Sequence, residues 1–496
     1  MERASGVILS ISSLPSPYGI GTLGRAARDF ADFLAAAGQR YWQLLPLGPT
    51  GYGDSPYSPF STFAGNPYYL DVETMIDEGL LLREEADSLS WGEDPRQADY
   101  GLLYENRWKL LEAAARRGCE LYAAEIDAFA EENRAWLEDY ALFMALKRRY
   151  GMVSWTEWPD EDVRLRVPEA LRRCREELSE DIRLFTFVQF EFFRQWDALR
   201  RYVREKGISL IGDVPIYVAL DSSDVWASPE LFELDERNVP TAVAGVPPDY
   251  FSEDGQLWGN PLYRWDAMAA DGYGWWIRRI GAASRLYDVI RIDHFRGFAN
   301  YWSIPYGEET AKNGHWETGP GIRLVGLLRD WFHDVAFIAE DLGCADEEVQ
   351  ALLKDSGFPG MRVLEFAFDA EEPSTYLPHF HVQNCVCYTG THDNTTLQQW
   401  LDTGSEADLA FAGEYLGLNE REGALWSVIR GGMSSVAQLF MAQMQDYLGL
   451  GSEARMNEPG TAQGNWKWRL LPGELTEALA EKIKAVTVRY GRAAKE

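Results

Sequence analysis

The sequence predicts an α/β protein folded as a (β/α)₈ TIM barrel, with a helical insertion and long loops at the C-terminal face of the strands. Three observations carry this prediction. Seven short apolar runs end abruptly in polar or charged residues and are followed by helix-patterned segments, the signal of βα units feeding a mostly parallel sheet. The 496 residues match about three average domains by length, but one barrel enlarged by insertions also fills them. A long stretch between the second and third runs has helical periodicity and no strand signal.

The predicted strands lie at residues 6–11, 41–47, 208–218, 288–294, 335–342, 361–368 and 384–393. An eighth, weaker candidate falls near 455–457. Residues 71–206 read as an inserted, mostly helical subdomain, with Phe129, Trp136, Tyr140, Phe143 and Leu146 along one stripe and Phe185, Val188, Phe192, Trp196 and Leu199 along another. Residues 221–261 are rich in Pro, Gly, Asp and aromatics without periodicity, so they read as a long active-site loop over one end of the barrel. Residues 475–489 read as an outer-ring helix. The whole chain, 1–496, is expected to be one catalytic barrel carrying these insertions.

Composition narrows the partners. The formal charge is −31, which argues against nucleic acid or an anionic membrane, because both are bound by clustered cations. A hydrophobic fraction of 46%, with 19 Trp, 24 Tyr and 23 Phe spread along the chain, excludes wholesale disorder. The N-terminus lacks a signal-peptide pattern, and no run of about 18 apolar residues follows. Five scattered cysteines, Cys119, Cys174, Cys344, Cys385 and Cys387, fit a reducing compartment, so a cytoplasmic protein is expected. Cys385 and Cys387 share one face of a strand and read as core rather than as a metal pair.

In a barrel the chemistry sits where strands end, so charged residues terminating apolar runs are the candidates. Four such residues stand out: Asp213, Asp293, Glu340 and Asp393. A charge capping a buried strand is costly unless paired or wet, and several converging on one mouth are hard to explain as packing. Singly, each has a plain structural alternative: a turn, a buried ion pair or a helix cap. Arg291 and Asp293 are two apart on a strand, so both point inward and the guanidinium should keep that carboxylate ionised, which suits a nucleophile. Glu340 follows Ala336 and Ile338 on an inward face, where desolvation would raise its pKa toward that of a general acid. Retaining glycoside chemistry uses such a pair about 5 to 5.5 Å apart. Asp393, with His392 and His294, could hydrogen-bond sugar hydroxyls as the transition state forms.

Aromatic residues point to the substrate. Sugar C–H faces stack on rings while hydroxyls bond to Asp, Asn and Arg, so the 247–261 loop reads as a carbohydrate platform with Tyr250, Phe251 and Trp258 as candidates. Rings that merely pin the loop are the alternative. The 51–60 loop, with Tyr52, Tyr57 and Phe60, is open to the same two readings, and a second glucan site there is a further possibility.

The chain resembles the 4-α-glucanotransferases known as amylomaltases or disproportionating enzymes, relatives of the α-amylases. The match runs nearly end to end through Ser13-Leu-Pro-Ser-Pro-Tyr-Gly-Ile-Gly21, Gly53-Asp-Ser-Pro-Tyr57, Gly212-Asp-Val-Pro-Ile-Tyr217, Gly245-Val-Pro-Pro-Asp-Tyr-Phe251, Trp258-Gly-Asn-Pro-Leu-Tyr263, Arg291-Ile-Asp-His-Phe-Arg-Gly297, Ala339-Glu-Asp-Leu-Gly343, Gly390-Thr-His-Asp-Asn394, Arg455-Met-Asn-Glu-Pro-Gly460 and Gly464-Asn-Trp-Lys-Trp468. The resemblance implies Asp293 as nucleophile, Glu340 as acid/base and Asp393 as transition-state stabiliser. It places Arg291, His294, His392 and Asp213 around the donor sugar, and Asn465 among the substrate-binding residues. Many members carry a His-Pro-Thr stretch where this chain has Ser10-Ile-Ser12, a departure that bears only on a sugar contact from that position.

The implied reaction moves α-1,4-glucan segments between maltooligosaccharides, with glucose also an acceptor, through a covalent glycosyl-enzyme and with no cofactor or metal. The loop of Tyr250 and Phe251 is expected to act as a lid that favours transfer over hydrolysis. An α-1,4-glucan hydrolase on the same scaffold is the alternative. A metal-dependent hydrolase and a non-catalytic glucan-binding protein are the more distant ones.

Overall fold

The computed structural model describes residues 2–51, 53–248, 252–343, 346–372, 374–418, 421–461 and 463–493. In chain order the strands are β1 (Ala4–Ile8), β2 (Tyr41–Gln43), β3 (Ser209–Pro215), β4 (Ala242–Val246), β5 (Gln256–Pro261), β6 (Val289–Asp293), β7 (Asn300–Pro305), β8 (His315–Thr318), β9 (Ala336–Ala339), β10 (Gly360–Val363), β11 (Cys385–Tyr388) and β12 (Leu439–Gln443). Eight of them form a parallel sheet in the order β10-β11-β12-β1-β2-β3-β6-β9. The two end strands meet: the Ala339 N–H donates to the Pro359 carbonyl at 2.9 Å, and the Met361 N–H to Asp341 Oδ1 at 2.7 Å. The result is a nearly closed (β/α)₈ barrel.

Alternation along each strand separates two cores. Ile8, Ile211, Val289, Ile338, Met361, Val386, Tyr388, Leu439 and Met441 fill the interior, while Val7, Ile290, Phe337, Cys385, Cys387 and Phe440 face the surrounding shell. Cys385 and Cys387 are thus buried, free thiols in that shell. The same parity places Arg291 and Asp293 inward beside Val289, and Glu340 inward after Ala336 and Ile338.

The eighth strand corrects the sequence reading. It is β12, whereas 455–457 is irregular and follows a 3₁₀ turn at Ser452–Ala454. Leu, Met, Ala and Gln, which make up most of Leu439–Gln443, are good helix formers, and only burial between β1 and β11 makes the run extended. The other strands are shorter than expected. Asp213 and Asp293 lie within their strands, at the upper end of the β3–β6 ladder, whereas Glu340 and Asp393 follow the ends of β9 and β11.

The 221–261 segment also differs from the loop predicted. It holds a short helix, Ser223–Ala227, and strands β4 and β5, which pair antiparallel with each other; β4 also pairs with β7, and β7 with β8, in a second sheet ordered β5-β4-β7-β8. Between β2 and β3 the chain folds as helices, chiefly Tyr100–Leu121, Arg134–Arg149 and Ser179–Glu205. Tyr140, Phe143, Leu146, Phe185, Val188, Phe192, Trp196 and Leu199 are all buried there. Each such side chain contributes roughly 1.5–3 kcal/mol through burial. The helix Glu477–Arg489 packs on Arg25–Ala36 of the outer ring. Among the described residues no helix is long and apolar enough to cross a membrane.

Candidate active site

β6 and β9 are adjacent parallel strands in register Ile292↔Ala339, and the Glu340 N–H donates to the Ile292 carbonyl at 3.0 Å. Asp293 and Glu340 are therefore the next pair up the ladder, both on the inward face. Neighbouring strands are about 4.8 Å apart, so this placement favours the close carboxylate spacing of retaining chemistry over the about 6.5–9.5 Å of inverting chemistry.

Arg291 organises the floor. Its Nη1 lies 2.7 and 2.6 Å from the two oxygens of Asp213 and 2.9 Å from Asp293 Oδ1. The Asp213 side chain is 0% exposed and that of Arg291 3%, whereas Asp293 keeps 25% of its side chain open to the cleft. Asp213 Oδ2 also accepts from the Tyr57 hydroxyl at 2.7 Å. Both Asp213 oxygens are thus engaged by Arg291, one of them also by Tyr57, and Arg291 links Asp213 to Asp293.

Beyond Asp293 the chain turns sharply at His294, whose φ of 50° is left-handed and costs a non-glycine residue on the order of 1 kcal/mol. That turn aims the His294 N–H at Glu340 Oε2, 2.7 Å away, while the Leu342 N–H donates to Oε1 at 2.9 Å. Burial, then the charge of Asp293, pushes the Glu340 carboxyl up to about 7, against Arg291 and those two amides. Burial raises Asp293 to about 6, with Arg291 restraining the rise and Asp213 and Asp393 adding to it. Of the pair, Asp293 ionises first, because it holds Arg291 directly and reaches the cleft. Burial and nearby Arg296 push His294 down to about 4, so its imidazole is neutral.

Asp393 lies on the loop after β11. Burial pushes it upward, but His392, the Asn457 amide and Arg291 prevail and hold it down at about 2. Asn457 Nδ2 donates to Asp393 Oδ1 at 2.6 Å, and His392 Nε2 stands 3.2 Å from Oδ2. Burial opposes the His392 imidazolium, but Asp393 outweighs it and raises the pKa. The Tyr57 ring stacks on His392 at 5.0 Å, and Trp466 lies 5.9 Å from each of them. Three carboxylates thus occupy three environments: one permanently charged, one ionising first, one retaining its proton.

The remaining candidates fall out as follows. Trp258 is 37% exposed and meets His294 edge-to-face at 4.8 Å, with Tyr217 at 6.2 Å. Tyr250 and Phe251 lie outside the described residues. The Asn465 amide is engaged in its own turn, donating to Thr461 and accepting from the Glu458 N–H, so the neighbouring Trp466, not Asn465, reaches His392. Ser10 and Ser12 bond each other at 2.7 Å. Among the described residues no three His, Cys, Asp or Glu side chains converge to hold a metal ion. Sequence reasoning assigned no role to Asn457, Trp466 or Tyr217, although all three sit inside the matched motifs.

Fold and site together define a barrel enzyme built for glycosyl chemistry. A family model described as 4-alpha-glucanotransferase matches residues 9–475. The chain is 47% identical over 486 residues to a 4-alpha-glucanotransferase of Clostridium butyricum, covering 98% of this chain and 100% of that one. It is 48% identical over 497 residues to that of Thermus thermophilus, covering 98% of each. The structure of an amylomaltase from Streptococcus agalactiae in complex with acarbose superposes with a TM-score of 0.97 at 41% identity, covering 99% of this chain and 100% of that one. The chain belongs to the 4-alpha-glucanotransferase family and is a glycosyl-transferring enzyme.

Proposed function

We propose that the protein transfers α-1,4-glucan segments between maltooligosaccharides, with glucose as a further acceptor, by double displacement with net retention. The observation that carries this reading is the pairing of Asp293 and Glu340 at one register of adjacent strands. Glu340, neutral below about 7, protonates the glycosidic oxygen as an Asp293 oxygen attacks C1, and the C1–O bond to the leaving glucan breaks. The incoming sugar 4-hydroxyl then attacks C1, gives its proton to Glu340 and releases Asp293. Two inversions at C1 give retention. Asp393, held ionised, takes hydrogen bonds from donor-sugar hydroxyls and faces the charge that builds on the ring.

The exposed Trp258 ring beside His294 is a platform on which an acceptor sugar outcompetes water for the intermediate. Hydrolysis on this scaffold differs only in that last competition. Incubation of the enzyme with maltotriose tests the reading. A ladder of longer oligosaccharides plus glucose at constant reducing ends supports transfer; rising reducing ends with only shorter products would mean a hydrolase.

A further inference from the structure

The loop that carries His392 and Asp393 is held at its base by two acids that the chemistry above does not use. Asp446, on the short helix after β12, accepts from Thr389 Oγ1 at 2.5 Å and from the Leu397 N–H at 2.8 Å, so it ties both ends of the loop. Glu365, in the 3₁₀ turn Leu364–Phe366 after β10, accepts from Thr395 Oγ1 at 2.6 Å. Gln443 Nε2, at the end of β12, donates to the Thr395 carbonyl at 3.0 Å. Inside the loop, Asn394 Oδ1 accepts from the N–H and hydroxyl of Thr391 at 2.8 and 2.9 Å, which closes the turn on which Asp393 sits.

Glu365 Oε1 is buried with no hydrogen-bond partner, and a Cβ placed on Gly390 would stand 2.5 Å from it. Glycine at 390 is what lets the acid lie this close to the loop. A buried carboxyl with one idle oxygen is a poor stabiliser of the fold, because the idle oxygen loses its hydration without compensation. Its placement makes sense as a constraint on the loop.

Resting on the reading of Asp393 as the group that stabilises the transition state, we propose that Glu365 is a positioning residue for Asp393. Through Thr395 it fixes the loop so that Asp393 faces the Asp293–Glu340 pair, and it touches no sugar itself. Burial pushes the Glu365 carboxyl up to about 8, with Thr395 and Arg455 opposing and Asp446 assisting, so near neutrality it holds the loop as an uncharged acceptor. A glutamine, neutral and of the same shape, should do the same work.

The test compares E365A, E365Q and T395V with D393N, using maltotriose and counting only folded enzyme by near-UV circular dichroism. The expected result for E365A is a kcat at least tenfold lower with KM within threefold. E365Q restores kcat to within threefold of the parent, and T395V, which deletes only the partner hydroxyl, lowers kcat three- to tenfold with KM unchanged. If E365A does not fold, T395V and E365Q decide. The proposal is overturned if T395V keeps the parental kcat, if KM and kcat shift together, or if the loss tracks only the unfolded fraction. An active D393N would instead overturn the role of Asp393, which separates the two failures.

Discussion

The main-chain N–H of His294 donates to Glu340 Oε2 at 2.7 Å, so the residue directly after Asp293 fixes the carboxyl that must work with it. The left-handed turn at His294 is the local cost of this link. It makes the geometry of β6 and β9 a single unit, in which the charge of Asp293 opposes ionisation of Glu340.

That coupling sets a pH profile. The proposed mechanism requires Asp293 ionised and Glu340 protonated, with pKa values of about 6 and about 7. Below the first value Asp293 takes up a proton and attack on C1 fails. Above the second Glu340 loses the proton needed by the leaving oxygen. A plot of kcat/KM against pH should be a narrow bell peaking between them, and E340Q should lose the alkaline limb along with most of its activity toward unactivated glucans.

Asp213 and Arg291 form a buried pair, and Asp213→Asn removes one partner while leaving Arg291 only Asp293 to face. Loss of one member of a buried pair is strongly destabilising, here on the order of 3 kcal/mol. Urea denaturation should show that loss together with a reduced kcat. A loss below about 1 kcal/mol would contradict the burial argument.

Asn457→Ala removes the 2.6 Å amide contact that helps keep Asp393 charged. His392 remains, so Asp393 stays ionised through the working range, but less firmly oriented. The expected effect is a roughly tenfold fall in kcat, about 1.4 kcal/mol of barrier, with KM for maltotriose nearly constant.

Trp258→Ala deletes the exposed ring beside His294. Stacking of this kind contributes about 0.5–1.5 kcal/mol, so KM for maltotriose should rise up to about tenfold. The ratio of hydrolysis to transfer should rise as well. Free-glucose release against maltotriose concentration measures the first, and the gain in total reducing ends per glucose released measures the second.

Much of this architecture is legible in local sequence because burial and charge alternate within a few residues. Val289-Ile-Arg-Ile-Asp293 announces an inward Arg and Asp on a core strand, and Phe337-Ile-Ala-Glu340 does the same for the acid. What local pattern does not carry is long-range pairing. Leu439–Gln443 is extended only because β1 and β11 flank it, and β4 lies between nearby β5 and β7, the latter some sixty residues on. Asp213 is the instructive residue. Its position at a strand end is visible, but its enclosure by Arg291 and Tyr57, brought from 78 and 156 residues away, is a property of the folded barrel.

The most direct measurement is covalent trapping. E340Q, lacking the acid/base, should still be glycosylated by α-maltotriosyl fluoride, whose leaving group needs no protonation, but should release the sugar slowly. Intact-mass and peptide mass spectrometry should then find a maltotriosyl ester on Asp293. An adduct on another residue, or turnover of the fluoride to a β-configured product with no adduct, would contradict double displacement through Asp293.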